Sequence, residues 1–172
     1  MNRIPPIKIF TDASTVAEIR GFAGESWVSG FTTNPTHLRK GGVTDYRVFA
    51  SEAVEAAAGK PLSLEVVADD LTTMEGQGRT LGSWGSNIVV KIPISTTSGE
   101  SCLPVVRALL DAGIRVNVTA IFTDSQVSSL IDVLRSDDRV IVSVFAGRIA
   151  DSGVDPVPVM LRYLDQLSIL PE

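Results

Sequence analysis

The amino-acid sequence predicts an α/β fold, a TIM-type (β/α) barrel in which about six βα units are present. Short apolar runs rich in β-branched residues alternate with longer amphipathic segments along all 172 residues. Such alternation is typical of parallel strands joined by right-handed helical crossovers. The connections are short, and polar side chains recur at the predicted carboxyl ends of the strands. A doubly wound open sheet is the competing architecture, but strand ends that converge on one mouth favour the barrel.

The first three βα units are delimited by capping and turn residues. Strands are expected at residues 8–11, 31–33 and 62–68, and helices at 14–22, 44–58 and 70–83. Ser14 suits the N-cap of the first helix because a serine hydroxyl can accept a main-chain N–H. Asn34-Pro35 suits a turn into a helix start, and Gly59-Lys60-Pro61 ends the helix that begins at Thr44.

The last three units follow the same pattern. Strands are expected at residues 87–94, 114–122 and 139–145, and helices at 100–111, 124–135 and 155–170. The run 87–94 is apolar and rich in β-branched residues, which is typical of a strand buried on both faces. Pro156 and Pro158 fall in the first turn of the last helix, where proline is tolerated.

The composition limits the class of protein. Hydrophobic residues make up 44% and charged residues 20% of the chain, as in a globular enzyme, and residues 1–172 are predicted to form a single domain. The net charge is −5, without any block of basic residues, which argues against nucleic acid and anionic membranes as the main partners. No apolar run reaches the roughly 20 residues needed to span a bilayer.

The sequence also predicts where in the cell the protein is located and that it uses no cofactor. The start of the chain is too short and too polar for a signal peptide, and the single cysteine, Cys102, has no partner for a disulfide. These features predict a cytoplasmic protein. The sequence contains neither a GxGxxG turn, nor a P-loop, nor a cluster of metal-ligating residues, so no cofactor and no metal are expected.

Lys91 lies in the middle of the apolar run 87–94 and is the first candidate for chemistry. An ammonium group is costly to desolvate in a buried strand unless it is paired or neutral. Buried lysines serve as amine nucleophiles toward carbonyl carbons; the alternative is a lysine that extends its amine to water. Other polar or reactive residues at predicted strand ends favour catalysis, and they are Asp12, Asn34, Glu65, Asn117, Thr119, Ser143, Phe145 and Arg148.

Short motifs at the six strands follow one another in order through the chain. They are Phe10-Thr11-Asp12, Thr32-Thr33-Asn34-Pro35, Leu64-Glu65-Val66, Val89-Val90-Lys91-Ile92-Pro93, Asn117-Val118-Thr119 and Phe145-Ala146-Gly147-Arg148-Ile149. In this combination and order the chain resembles the transaldolase family, especially its small bacterial members close to fructose-6-phosphate aldolase.

The resemblance implies Schiff-base chemistry on a sugar phosphate, without a cofactor. Lys91 would attack the keto group, and the protonated imine would act as an electron sink while a C–C bond breaks. A three-carbon dihydroxyacetone unit would then pass to an aldehyde acceptor, as in pentose phosphate-type carbohydrate metabolism. Asp12 would handle the proton of the donor hydroxyl, and Glu65 with Thr119 would hold the water that shuttles protons.

The resemblance also implies the substrate-binding residues. Asn34 and Asn117 would bind hydroxyls of the dihydroxyacetone unit, with Ser143 close to them, and Arg148 would help to bind the substrate phosphate. Structural roles remain as alternatives: Asp12 as a helix cap, Asn34 as a turn former and Arg148 as a surface ion-pair partner.

Two positions bear on the choice between a transferase and a simple aldolase. Glu65 and Phe145 match the transaldolases, whereas the fructose-6-phosphate aldolases carry glutamine and tyrosine there. The alternatives are an aldolase that releases its three-carbon unit, and an inactive remnant that only binds sugar phosphate or supports assembly. His37, the only histidine, is interpreted as structural or exposed.

Six βα units are two fewer than a (β/α)₈ barrel contains. We expect a domain truncated at its C-terminus, either as a fragment of a longer protein, as a chain that closes its barrel by self-association, or as a remnant. Unpaired edge strands are a pairing hazard unless another chain covers them. Together with the resemblance, this favours a homo-oligomer with sugar-phosphate substrates as its small-molecule partners.

Overall fold

The computed structural model describes residues 7–168 of the chain. Six strands are present in this part: β1 (Ile9–Asp12), β2 (Val28–Thr32), β3 (Leu62–Glu65), β4 (Ile88–Pro93), β5 (Val116–Ile121) and β6 (Val140–Val144). The helices are α1 (Val16–Ala23), α2 (Pro35–Lys40), α3 (Tyr46–Ala56), α4 (Leu71–Gly82), α5 (Leu103–Asp111), α6 (Asp124–Ile131), α7 (Ala146–Asp151) and α8 (Pro156–Leu167).

The strands are ordered β1-β2-β3-β4-β5-β6 in the sheet, as they are in the sequence. The pairs β1–β2, β2–β3, β4–β5 and β5–β6 are parallel. A doubly wound sheet reverses its strand order at a switch point, whereas a (β/α) barrel keeps the chain order. The predicted fold class, a barrel-type α/β fold with six βα units, is therefore confirmed.

The chain divides into two compact units. The first comprises the chain up to Glu65 together with Thr80–Val89, and the second comprises Val66–Arg79 together with the chain from Val90 onward. Each has its own set of fully buried apolar side chains. Those of the first unit include Ile19, Phe31, Leu62 and Leu64, and those of the second include Met74, Val90, Ile92, Val106, Leu109, Val116 and Ile121.

Strand β4 is buried along its first five residues, as its apolar sequence predicts. Strand β2 begins at Val28, three residues before the predicted start. Gly30 interrupts the apolar run in the sequence, but its lack of a side chain makes room for the ring of Phe10 on β1. A Cβ atom at Gly30 would lie 2.4 Å from Phe10 Cε1.

The predicted start residues of two helices are wrong by one or two positions. Thr15, and not Ser14, is the N-cap of α1, because Thr15 Oγ1 accepts the main-chain N–H of Glu18 while the Glu18 carboxylate accepts that of Thr15. This reciprocal pair is a capping box. Helix α3 begins at Tyr46 rather than Thr44, since the carboxylate of Asp45 accepts the main-chain N–H groups of Arg47 and Val48.

Two other predicted boundaries differ from those in the structure, the end of β3 and the start of α5. In both places the main-chain groups bond to a side chain or close a loop and do not continue the strand or helix. Strand β3 ends at Glu65 and not at Ala68, since Gln77 Oε1 accepts the N–H groups of Val67 and Ala68. Helix α5 begins at Leu103 rather than residue 100. The preceding residues form a loop that is closed by an isolated antiparallel bridge between Ser95 and Ser101.

The end of the chain contains one helix that the sequence analysis did not predict. Helix α7 is only six residues long, too short to show a helical period in the sequence. Helix α8 begins at Pro156, one residue after the predicted start, and the carboxylate of Asp155 caps it by accepting the N–H of Val157. The predicted end of this helix at residue 170 lies outside the described residues. No helix between residues 7 and 168 is long and apolar enough to cross a membrane.

Candidate active site

Lys91 lies on β4 and is 8% exposed, between Val90 and Ile92, which are fully buried. The main-chain oxygen of Lys91 accepts a hydrogen bond from the N–H of Val66, which is the residue that follows β3. Val90 and Ile92 project from the opposite face of the strand, so the low exposure of Lys91 shows that its own face of β4 is covered as well. A buried lysine amine of this kind is a candidate nucleophile toward a carbonyl carbon.

The register of the sheet aligns polar side chains from β5 with Lys91. Lys91 pairs with Asn117, and Pro93 pairs with Thr119. Paired residues of parallel strands project from the same face, as do residues two apart on one strand. Lys91, Asn117 and Thr119 therefore share one face of the β4–β5 pair in the second unit.

The side chains of Asn117 and Thr119 on β5 are both buried. Asn117 is 4% and Thr119 1% exposed, and Asn117 Oδ1 accepts a hydrogen bond of 2.8 Å from Ser143 Oγ on β6. Thr119 Oγ1 has no hydrogen-bond partner among the described residues. Because a buried hydroxyl without a partner costs free energy, Thr119 is a natural donor or acceptor for a bound polar ligand.

A local irregularity follows Thr119 on β5. The pairing between β5 and β6 shifts between Val118 and Ile121, and Ala120 has a φ of 59°. This left-handed conformation is strained for a residue with a side chain, and such bulges and strain are common beside active sites.

Phe145 follows β6 and packs against an aromatic residue that follows β5. Its ring meets the ring of Phe122 edge to face at a centroid distance of 5.3 Å, and its N–H donates to the oxygen of Ile121. The hydroxyl of Tyr163 on α8 donates to the main-chain oxygen of Phe122 over 2.7 Å. The sequence analysis did not foresee this tie from α8, which fixes the position of the turn that carries Phe122.

Arg148 lies on α7, and its side chain is 73% exposed. It forms an ion pair with Asp151 on the same helix, with 3.3 Å between Nη1 and Oδ2. An exposed ion pair of this kind contributes little to stability, so the guanidinium is available to an anionic group from solution.

The remaining predicted site residues lie in the first unit. Asp12 is the last residue of β1, and Glu65 is the last residue of β3. Asn34 is the N-cap of α2, where its Oδ1 accepts the N–H groups of Thr36 and His37. This confirms the predicted turn into a helix and leaves the amide nitrogen of Asn34 outside the cap.

Two contacts in the first unit were not foreseen in the sequence analysis. His37 Nδ1 lies 3.3 Å from Asp12 Oδ2. The hydroxyl of Tyr46 donates to the main-chain oxygen of Glu65 over 3.0 Å. Burial raises the pKa of Tyr46 above its ordinary value, because loss of water penalises the phenolate. In the sequence, the Asn34-Pro35 pair is the one feature that indicates the contact of His37. A helix that begins at Pro35 places His37, its third residue, close to the strand ends.

Cys102 on the N-terminal side of α5 is a further buried side chain with a nucleophilic atom. Burial raises the pKa of its thiol to about 11, so it is protonated at neutral pH and unreactive. Within residues 7–168 there is no group of three His, Cys, Asp or Glu side chains that could hold a metal ion.

Comparisons with known proteins agree with these features. The family described as Transaldolase/Fructose-6-phosphate aldolase matches residues 9–166. A probable transaldolase from Dehalococcoides mccartyi is 34% identical over 166 residues, which cover 96% of this chain and 72% of that protein. A probable transaldolase from Herpetosiphon aurantiacus is 36% identical over 161 residues, covering 94% of this chain and 68% of that protein.

A third relative gives the same result. A probable transaldolase from Roseiflexus sp. is 36% identical over 161 residues, which cover 94% of this chain and 70% of that protein. The match extends over nearly all of the present chain and includes all six strands and Lys91. The chain therefore belongs to the transaldolase/fructose-6-phosphate aldolase family.

Proposed function

We propose that this chain performs transaldolase-type chemistry, in which a Schiff base at Lys91 transfers a dihydroxyacetone unit between sugar phosphates. The observation that carries the proposal is the buried amine of Lys91 on the face of the β4–β5 pair that also holds Asn117 and Thr119. The family and its relatives named transaldolase support the same chemistry.

The covalent step begins at the keto carbon of the sugar. The Lys91 amine adds to this carbon to form a carbinolamine, which loses water to give a protonated imine. A base removes the proton of the hydroxyl on C4, the C3–C4 bond breaks, and its electron pair moves into the imine to give an enamine. The fragment beyond C3 leaves as an aldehyde.

Transfer reverses these steps on a second substrate. The enamine attacks the carbonyl carbon of an acceptor aldehyde, a proton returns to the new hydroxyl, and water hydrolyses the imine to release the product and the free amine. In the second unit, Asn117 and Ser143 bind hydroxyls of the three-carbon unit, and the Thr119 hydroxyl holds the water that is lost and regained. The hydrogen bond from Ser143 to Asn117, and the burial of Asn117 and Thr119, support these roles.

Four other roles rest mainly on the family resemblance. Asp12 accepts the proton of the C4 hydroxyl, Glu65 assists the water, and Asn34 binds a substrate hydroxyl through its amide nitrogen. Arg148, which is exposed, binds the substrate phosphate. Phe145 provides an apolar wall, and a phenylalanine there favours transfer over release.

Borohydride trapping with fructose 6-phosphate tests the proposal. Reduction of the imine adds a stable three- or six-carbon group to one lysine, which intact mass and peptide mapping identify. We expect the adduct on Lys91 and its complete loss in Lys91→Arg, because a guanidinium does not act as an amine nucleophile.

Lys40→Arg is the matched control, since it makes the same change at an exposed lysine of α2. This variant should form the adduct as the parent does. A folded parent protein that gives no adduct, or gives it on another lysine, would contradict the proposal.

A further inference from the structure

The contact between His37 and Asp12 has no part in the chemistry proposed above. His37 Nδ1 lies 3.3 Å from Asp12 Oδ2, and the two side chains are 50% and 53% exposed. Only one carboxylate oxygen takes part in this contact. About half of the Asp12 side chain faces solvent, which leaves room for a substrate hydroxyl beside the carboxylate.

The main chain holds His37 in place for this contact. Asn34 Oδ1 accepts the His37 N–H at 3.4 Å, and Pro35 sets the first turn of α2. Asp12 is aligned in turn by the sheet, where it pairs with Thr32 at the end of β2. Both partners therefore sit on ordered main chain, and the two side chains meet without rearrangement of either element.

We propose that His37 is a positioning residue that holds the Asp12 carboxylate in the orientation needed for proton transfer. The inference rests on the proposed function, in which Asp12 takes the proton of the C4 hydroxyl. An aspartate that is half exposed has several accessible rotamers, and a misdirected base lowers the rate of the step that it serves. A contact to Oδ2 restricts those rotamers and directs Oδ1 toward the substrate.

Three substitutions of His37 separate positioning from packing. His37→Leu removes the ring nitrogens and leaves an apolar side chain of similar size. His37→Asn places an amide nitrogen close to the position of Nδ1, and His37→Gln places it close to that of Nε2. Only His37→Asn can restore a donor to Asp12 Oδ2.

Two readouts are measured on each variant with fructose 6-phosphate. The yield of the reduced Lys91 adduct reports imine formation. The steady-state release of glyceraldehyde 3-phosphate reports C–C cleavage; it is measured with an excess of an acceptor aldehyde, which takes up the three-carbon unit and frees Lys91 for the next turnover. For His37→Leu and His37→Gln we expect an unchanged adduct yield and a kcat about fivefold lower, as for the loss of one exposed polar contact. KM should stay within about twofold, and His37→Asn should restore kcat, because only the orientation of the base is altered.

The contact itself can be observed without activity. The chain has a single histidine, so its ring gives one set of NMR signals. Asp12→Asn should displace these signals, whereas Glu18→Gln, on α1, should leave them unchanged.

The outcomes separate this inference from the function on which it rests. A parent protein without any Lys91 adduct overturns the proposed function and the inference with it. A normal adduct together with an unchanged kcat in His37→Leu, or with no recovery in His37→Asn, overturns the positioning role alone. Histidine signals that do not respond to Asp12→Asn overturn it as well.

Discussion

At the scale of single residues, buried polar groups distinguish this chain from a generic α/β domain. Lys91, Asn117 and Thr119 are each less than 9% exposed, although burial of polar side chains is unfavourable unless they are hydrogen-bonded. Asn117 bonds to Ser143, and Tyr46 uses its hydroxyl to hold the main chain of Glu65. Polar groups that are buried at strand ends and aligned by the sheet are what the proposed binding roles require.

Tyr46→Phe should destabilise the protein by about 1 kcal/mol near neutral pH, because it leaves the oxygen of Glu65 without its donor. Burial raises the pKa of Tyr46, so the folded state keeps the proton after the unfolded chain begins to lose it at about pH 10. The stability that this raised pKa gives is present at lower pH and is lost as the pH rises. The difference between parent and variant should therefore shrink above pH 10.

Urea unfolding of both proteins at about pH 8 and above pH 10 measures this difference. A gap that stays constant or widens at alkaline pH would show that the hydroxyl of Tyr46 is not protected by burial.

At the scale of the elements, a helix begins after the residue that caps it. The sequence alone locates this capping residue only to within one position. Ser14 and Thr15 are both good caps by residue type. The structure selects Thr15, whose extended main chain and hydroxyl reach the N–H of Glu18. The same arrangement occurs at Thr123 and Gln126 before α6, so two of the helices that follow strands begin with a capping box.

Thr15→Ala should lower the free energy of unfolding by about 1 kcal/mol, because the main-chain N–H of Glu18 loses its acceptor. Ser14→Ala is the matched control, and we expect a change within about 0.5 kcal/mol. Ser14 bonds to the Glu18 carboxylate through its main-chain N–H, which the substitution keeps. Chemical denaturation of both variants decides between the two caps: an equal or larger loss for Ser14→Ala would contradict the assignment.

At the scale of the whole molecule, side chains far apart in the sequence tie the βα units together. Arg107 on α5 donates through Nη2 to Asp138 Oδ1 at 3.0 Å, and it also reaches the main-chain oxygen of Val133. Asp138 further accepts the N–H of Arg135. This network joins α5 to the segment that leads into β6 within the second unit, and so it supports the strand that carries Ser143.

Asp138→Asn should destabilise the protein by about 1–2 kcal/mol at neutral pH, because it removes a charged acceptor from Arg107. The Arg107 guanidinium lowers the pKa of Asp138, so its contribution is present above the unfolded value of about 3.9 and is lost as the pH falls further. The difference between parent and variant should shrink in acid.

Asp137→Asn is the control, since Asp137 is an exposed neighbour of the same type. Denaturation curves at pH 7 and near pH 3 should show a pH-dependent loss for Asp138→Asn and almost none for Asp137→Asn. Equal effects of the two substitutions would contradict the role of the Arg107–Asp138 pair.

The sequence by itself determined the fold class, the family and the central lysine. The alternation of strand-like and helix-like apolar patterns is a local property of the chain. An apolar, β-branched run with one lysine predicts a buried strand even when the segments that pack around it are unknown. The structure bears this out for β4 and Lys91. The short α7 and the exact helix starts could not be predicted, because a six-residue segment and two adjacent capping residues give no distinct pattern.

The tertiary structure alone decided which residues meet. The pairing of Lys91 with Asn117 depends on strand register, and the contact of Ser143 with Asn117 joins positions 26 residues apart. The approach of His37 to Asp12 likewise requires both β1 and the start of α2 to be in place. Such contacts arise from the assembled sheet and its loops, because no local propensity of the chain encodes a distance between residues remote in sequence.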